Sequence, residues 1–242
     1  MNSMQSAPFP RRGNCPYEVR MTPPAPPNTP LAPQLAQIRL RNPDLGPFYD
    51  EIVIGLRAAG VGQSAPVVGD TFPDFSLPTA EGGYRRLGDL LEAGPVVINF
   101  SRGRWCPYCA HEIAAWAEML PALAAAGARF IEITGEIGGG ARALGAVLAA
   151  SDHAAAADVL CDVDHGVALS LGLAFFAGEP LLDFYRGRGH DFNAYYGSQA
   201  GFLPVPGTFA LDQNGVVRFA FTDVDFRNRA EPADVLAALT AP

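Results

Sequence analysis

No apolar run in this chain approaches the roughly 18 residues needed to cross a bilayer. The first twenty residues, MNSMQSAPFPRRGNCPYEVR, lack the apolar segment of about 7–15 residues that a secretory leader carries. Basic blocks are also missing and the formal net charge is −8, which argues against nucleic acid or an anionic membrane surface as partner. Cysteine is scarce: four in 242 residues cannot staple a secreted disulfide scaffold. These absences describe a cytoplasmic protein whose few cysteines work reversibly. With 49% hydrophobic residues the chain can bury one substantial core, so one domain with extensions is expected.

The stretch Gly94–Glu112, GPVVINFSRGRWCPYCAHE, organises the rest. Val96-Val97-Ile98-Asn99-Phe100 has the length and β-branched content of a fully buried strand. It breaks at Ser101-Arg102-Gly103-Arg104, and a run of helix formers begins at Ala110. Cys106 and Cys109 therefore stand where a buried strand hands over to a helix. Free N–H groups and the positive dipole end of a helix stabilise a thiolate, and Arg102 and Arg104 add charge nearby. Pro107 costs little this early in a helix. One turn apart, the two sulfurs can bridge, so the stretch reads as a redox dithiol. Trp105 precedes the pair and Tyr108 lies between its two cysteines.

Residues 1–46 read as a proline-rich arm, partly disordered or laid over the domain surface, with Pro23-Pro24-Ala25-Pro26-Pro27 as its clearest mark. Cys15, in Asn-Cys-Pro-Tyr, has no strand before it and no second cysteine, and is read as coincidence rather than a resolving thiol. Residues 47–242 form the domain. An amphipathic helix is expected over Pro47–Ala59, with Phe48, Ile52, Val53 and Leu56 inward. A hairpin follows around Glu81-Gly82-Gly83, then a short helix at Gly88–Glu92. Trp116 reads as core, and Pro121 as a kink in the helix after the cysteines. Arg129–Thr134 and Ala157–Cys161 are strands, with Cys161 a buried thiol. The triple glycine at 138–140 lacks the lysine and hydroxyl residue of a phosphate loop and reads as a breaker. An irregular, aromatic-rich insertion spans about 175–204, either lining a site or running over the surface. Gly207–Asp212 and Val216–Thr222 form a hairpin across Gln213-Asn214-Gly215, and Glu231–Thr240 is the closing helix.

The motifs Asp74-Phe75-Ser76-Leu77-Pro78, Arg102 through Cys109, Pro204-Val205-Pro206-Gly207-Thr208-Phe209 and Arg229-Ala230-Glu231-Pro232 together resemble the peroxiredoxin-like branch of the AhpC/TSA family, from about Val67 onward. The resemblance implies an α/β thioredoxin-like fold: a central mixed sheet with helices on both faces and an extended N-terminal arm. It also implies a cis bond between Val205 and Pro206, opposite the cysteines. Peroxidases of this superfamily carry Pro-x-x-x-Thr/Ser-x-x-Cys. Here Cys109 takes the peroxidatic place, Cys106 replaces the Thr/Ser and Arg102 replaces the proline. Pro206 stands where an arginine is expected, leaving Arg102 or Arg104 as substitutes. Against the thioredoxins, Asn99 stands in place of a buried, proton-accepting aspartate, and asparagine cannot titrate.

Two readings follow from the dithiol. In the first, slightly preferred because the peroxide-binding groups are missing, the chain is a thiol-disulfide oxidoreductase. Cys106, expected to be the less buried, attacks a disulfide and Cys109 resolves the mixed disulfide. In the second, a peroxide oxidises one cysteine, Cys109 by alignment or Cys106 by exposure, and the other condenses with the sulfenic acid. Either cycle needs an external thiol reductant of thioredoxin or glutathione type and no cofactor; a homodimer is compatible with both. A third reading, of another class, is a non-catalytic binding module that keeps the fold without the chemistry, or a metal module, for which Cys106, Cys109 and His111 fall one ligand short of a closed zinc site. His111 reads as a solvated helix residue.

Overall fold

The computed structural model describes residues 29–241; Cys15 and the proline run at 23–27 lie outside them. Its centre is strand β3 (Val96–Ser101), every residue of which is buried. To one side lie β4 (Arg129–Thr134) and β5 (Ala157–Cys161), to the other β8 (Gly207–Leu211) and β9 (Val217–Thr222), in the order β5-β4-β3-β8-β9. The pairings β3–β4 and β4–β5 are parallel, while β3–β8 and β8–β9 are antiparallel. This is the expected mixed sheet.

Side chains alternate across a strand, so each strand feeds both faces. Val96, Ile98 and Phe100 join Ile131, Ile133, Leu160, Phe209 and Leu211 on one face. Val97 joins Phe130, Val159 and Ala210 on the other, under Ile113, Trp116, Leu120 and Leu123 of helix α4 (Pro107–Ala125). Each fully buried Val, Ile, Leu or Phe contributes about 1.5–3 kcal/mol. Trp116 stacks on Phe130 at 4.9 Å, as a core residue does. Helix α4 runs through Pro121 without ending there. Helices α5 (Gly138–Leu148) and α9 (Pro232–Thr240) pack beside α4, with Leu144, Leu148 and Val235 in the same cluster.

The same alternation aims Asn99 and Ser101 of β3, Glu132 and Thr134 of β4 and Thr208 of β8 toward α4 as well. Asn99 is in register with both Glu132 and Thr208. A polar row thus crosses an otherwise apolar face, below the start of α4.

Around this body the chain adds smaller elements. Hairpin β1 (Ser76–Pro78) and β2 (Tyr84–Arg86) precedes helix α3 (Leu87–Ala93), and α6 (Gly166–Ser170) follows β5. Of the expected arm, residues 31–41 form helix α1, which lies against α4 and buries Leu31, Leu35 and Ile38. Helix α2 (Gly46–Ala58) follows it. The expected irregular insertion has regular structure: strands β6 (Ala174–Phe176) and β7 (Phe202–Pro204) pair antiparallel and enclose helices α7 (Gly178–Arg186) and α8 (Phe192–Tyr196). Aromatic side chains on α7 and α8 drive this, since they have an apolar place to go.

Candidate active site

The turn between β3 and α4 is held by a carboxylate from the neighbouring strand's end. Glu136 Oε2 accepts from the Arg104 backbone N–H at 3.0 Å. Gly103, at φ 108°, lies so close that an added Cβ would come within 2.7 Å of that carboxyl, so glycine is required there. Cys106 is then the extended residue capping α4, and Pro107 is its first helical residue.

Both sulfurs are covered. Cys106 and Cys109 are each 1% exposed, which corrects the expectation that Cys106 is the more accessible. The cause is the company they keep: Leu31, Leu35 and Ile38 of α1 and Leu181, Tyr185, Phe192 and Tyr196 of the insertion pack over them. Trp105 packs among Tyr185, Phe192 and Tyr195, and its Nε1 donates to Tyr196 Oη at 3.0 Å. Tyr196 in turn donates to the Arg102 carbonyl at 2.8 Å. The insertion therefore lines the site. His111, expected in solvent, is half-buried with its Nδ1 3.3 Å from Gln34 of α1.

Two arginines meet the sulfurs, and one of them was not anticipated. Arg102 is 2% exposed, its guanidinium 4.1 Å from the Phe226 ring and 4.7 Å from that of Trp105, with Nη2 donating to Tyr185 Oη at 3.1 Å. It forms no ion pair with a carboxylate among the described residues. Arg229, from the segment before α9, donates through Nη2 to Cys109 Sγ at 3.3 Å. The Arg102 backbone N–H donates to the same sulfur at 3.4 Å. Arg229 is held by Glu112, one turn beyond Cys109, through Nε–Oε2 at 2.7 Å, both side chains 1% exposed. It also donates to the carbonyls of Phe226 and Asn228. Arg104, by contrast, is exposed and takes part through its backbone.

These groups set the protonation of the pair. Burial pushes the Cys106 thiol up, but a hydrogen bond from Cys109 and the charges of Arg102 and Arg229 outweigh it and bring Cys106 down to about 5. Burial, together with the adjacent thiolate, holds Cys109 well above the ordinary thiol range. Near neutral pH the pair thus shares one proton: Cys106 is the thiolate, and Cys109 donates its S–H to it while accepting from two N–H groups.

Pro206 leads directly into β8 through a trans bond, and no cis peptide bond occurs among the described residues. The chain is already satisfied in the extended form, since Val205 N donates to the Leu173 carbonyl at 2.7 Å and Gly207 is in register with Phe100. Val205 and Arg102 line a narrow crevice with Ile52, Leu56, Phe175 and Phe226. Cys161 is buried and its thiol is raised by burial, as expected. Among the described residues no three His, Cys, Asp or Glu side chains group as a metal site. No helix among them is long and apolar enough to cross a membrane.

Sequence reasoning missed Arg229, Glu112 and Glu132 as site residues. Glu112 and Glu132 did carry a signal: each is a lone acid inside an apolar stripe, Cys109-Glu112-Ile113-Trp116 on α4 and Arg-Phe-Ile-Glu-Ile-Thr on β4.

A model of the AhpC/TSA family matches residues 68–220. No curated protein matches the chain significantly. Among solved structures, the chain is similar to peroxidoxin BcpB from Mycobacterium tuberculosis, with 23% identity and a TM-score of 0.53 over 71% of this chain and 95% of that one. It is also similar to reduced Prx3 from Vibrio vulnificus in complex with hydrogen peroxide (18%, TM-score 0.55, 72% and 99%). A third is peroxiredoxin 6 of Arenicola marina (13%, TM-score 0.56, 72% of each chain).

Proposed function

The chain belongs to the AhpC/TSA family and is a thiol-dependent redox enzyme; on that premise we propose that it reduces peroxides through the Cys106–Cys109 pair. The observation that carries this reading is the buried, proton-sharing pair with Arg102 and Arg229 upon it. In the sequence, disulfide chemistry is favoured only by the absence of peroxide-binding groups from the cysteine motif. The structure adds a buried cation that the motif does not contain: Arg229 comes from a distant part of the chain and, with the Arg102 N–H, donates to Cys109 Sγ beside the reacting sulfur. The cover over both sulfurs also favours a small oxidant, because a protein disulfide needs that cover lifted before it can reach them.

In the proposed cycle the Cys106 thiolate attacks the distal peroxide oxygen. The S–O bond forms as the O–O bond breaks, and the alkoxide or hydroxide leaves and takes a proton. Cys109 then attacks the sulfenic sulfur, its proton leaving with the hydroxyl as water, and the cystine forms. Arg229 and the Arg102 N–H stabilise charge on Cys109 as it loses its proton. An external thiol of thioredoxin or glutathione type restores the dithiol, which suits a reducing compartment such as the cytoplasm. Val205 in the wall of the crevice, Pro206 leading into β8, and Trp105, Pro107 and Tyr108 beside the sulfurs hold this geometry without touching the exchanged electrons.

Thiol-disulfide exchange remains the second reading, because Cys106 still occupies the place of the peroxide-binding hydroxyl. Stopped-flow oxidation of the reduced protein by hydrogen peroxide and by a model disulfide decides between them. Expected with peroxide is a fast phase that Cys106→Ser abolishes, whereas Cys109→Ser stops at a sulfenic acid that dimedone traps. A wild-type protein inert to peroxide but fast with the disulfide reverses the preference. Fast peroxide oxidation of Cys106→Ser reverses the roles of the cysteines.

A further inference from the structure

The polar row beneath the sulfurs contains one carboxyl that this cycle leaves idle. Glu132 lies in the middle of β4, fully buried, facing α4. Its Oε2 accepts from Asn99 Nδ2 at 2.9 Å, and the Thr208 hydroxyl donates to Asn99 Oδ1 at 2.8 Å, which fixes the amide with its nitrogen toward the acid. The groups facing Glu132 are Asn99 and Ser101 from β3, Glu112 from α4 and Arg229 from the segment before α9. Its register partner on β5, Val159, is apolar. Three buried oxygens of this cluster have no hydrogen-bond partner: Ser101 Oγ, Glu112 Oε1 and Glu132 Oε1. Native interiors rarely tolerate that without a role for the group. Burial, then repulsion from Glu112, pushes the Glu132 carboxyl up to about 8, so it is neutral when the dithiol is reduced.

Buried charge explains what a neutral acid does there. In the reduced protein Arg102 and Arg229 carry positive charge, and the Cys106 thiolate and Glu112 balance them. Forming the cystine removes the thiolate and leaves one cation uncompensated in a site closed to solvent, which is costly. The chemistry has the matching deficit: thiolate, thiol, peroxide and one proton give cystine, alcohol and water. We infer that Glu132 is the proton store of the dithiol. It releases its proton, which protonates the leaving oxygen, as the cystine forms, and its carboxylate then carries the charge the thiolate has lost. When two external thiols reduce the cystine, they return one thiolate, one thiol, an external disulfide and one proton, and that proton goes back to Glu132. Glu132 bonds to neither sulfur; it acts through Asn99, Ser101 and Glu112 and sets the charge around them. The inference rests on the dithiol cycle but not on which oxidant drives it, since a disulfide substrate also consumes one proton.

The test is the reduction potential of the dithiol against pH, from about pH 6 to 7.5, in thiol redox buffers. The wild-type protein is expected to take up two protons for its two electrons, one on Cys109 and one on Glu132. Glu132→Gln keeps the hydrogen bond from Asn99 but cannot titrate, and its slope is expected to fall by half. Infrared difference spectra of the wild-type protein should lose the stretch of a protonated carboxyl on oxidation. An unchanged slope in Glu132→Gln, a one-proton slope in the wild type, or no carboxyl band overturns the inference, and the last two need no variant. Counting free thiols in the same samples separates the two failures: without an internal cystine it is the dithiol cycle itself that falls.

Discussion

The two cysteines are one helical turn apart, yet the ground on either side of them is of two kinds. Above lies a shell of rings and aliphatic chains: Trp105, Tyr185, Phe192 and Tyr196, with Leu31 and Leu35 of α1. Below lies a bed of fixed charge and amide groups: Arg229, Glu112, Asn99 and Glu132. The shell has hydroxyls and an indole N–H, but they are spent on each other and on the carbonyl and guanidinium of Arg102. The bed retains unpartnered oxygens and a neutral acid. Access to the sulfurs is governed from above and their charge from below. Substitutions in the bed should therefore change the chemistry, and those in the shell should change entry and stability.

The largest effect is expected from Arg229→Met. Loss of a preorganised donor costs about 10²–10³ in rate, and leaving Glu112 buried without its partner costs about 3–5 kcal/mol of stability. The rate profile should also move to higher pH, because a cation that lowers Cys106 is gone. Stopped-flow kinetics across pH and thermal unfolding measure both. Next comes the wild-type profile itself. Oxidation follows the thiolate, so its rate should be flat above Cys106's value of about 5 and drop about tenfold per pH unit below it. A profile still rising at pH 8 contradicts the thiolate assignment.

In the shell, Tyr196→Phe strands the Trp105 Nε1–H and the Arg102 carbonyl. It should cost about 1–3 kcal/mol of stability while the peroxide rate stays within a few-fold. If that rate instead falls as far as in Arg229→Met, the division between shell and bed is wrong. The smallest effect belongs to Glu231→Ala. The Glu231 carboxylate accepts from the first two N–H groups of α1, Leu31 at 2.8 Å and Ala32 at 2.7 Å. Removing such a cap costs about 0.5–2 kcal/mol, and alkylation of Cys106 by iodoacetamide should quicken while the bed is left intact.

What could be read in advance follows the same division. Local pattern located β4 and β5 to the residue, the strand–cysteine–helix junction and the closing hairpin, because period and composition are properties of neighbouring residues. The cation on Cys109 comes from 120 positions further along the chain; the motif Arg229-Ala230-Glu231-Pro232 marks its segment, but nothing local announces the contact. The family resemblance implies a cis bond at Pro206, whereas the extended pairing of β8 with β3 is met by the trans form. The insertion looked irregular because its order depends on Trp105 and Arg102, which it meets only after folding. Glu132 was legible as an acid in an apolar strand, but its meaning required Asn99 and Glu112 beside it.

The seven residues from Asp225 to Glu231 hold two things at once. Arg39 of α1 is tied to Asn228 and Asp225, and α1's first turn to Glu231, while Arg229 between them grips the sulfur. Roof and electrode are thus bolted to one bracket. A guest large enough to lift the roof is expected to tug the same bracket and slacken the electrode as the door opens, a coupling that guests small enough to slip beneath would escape.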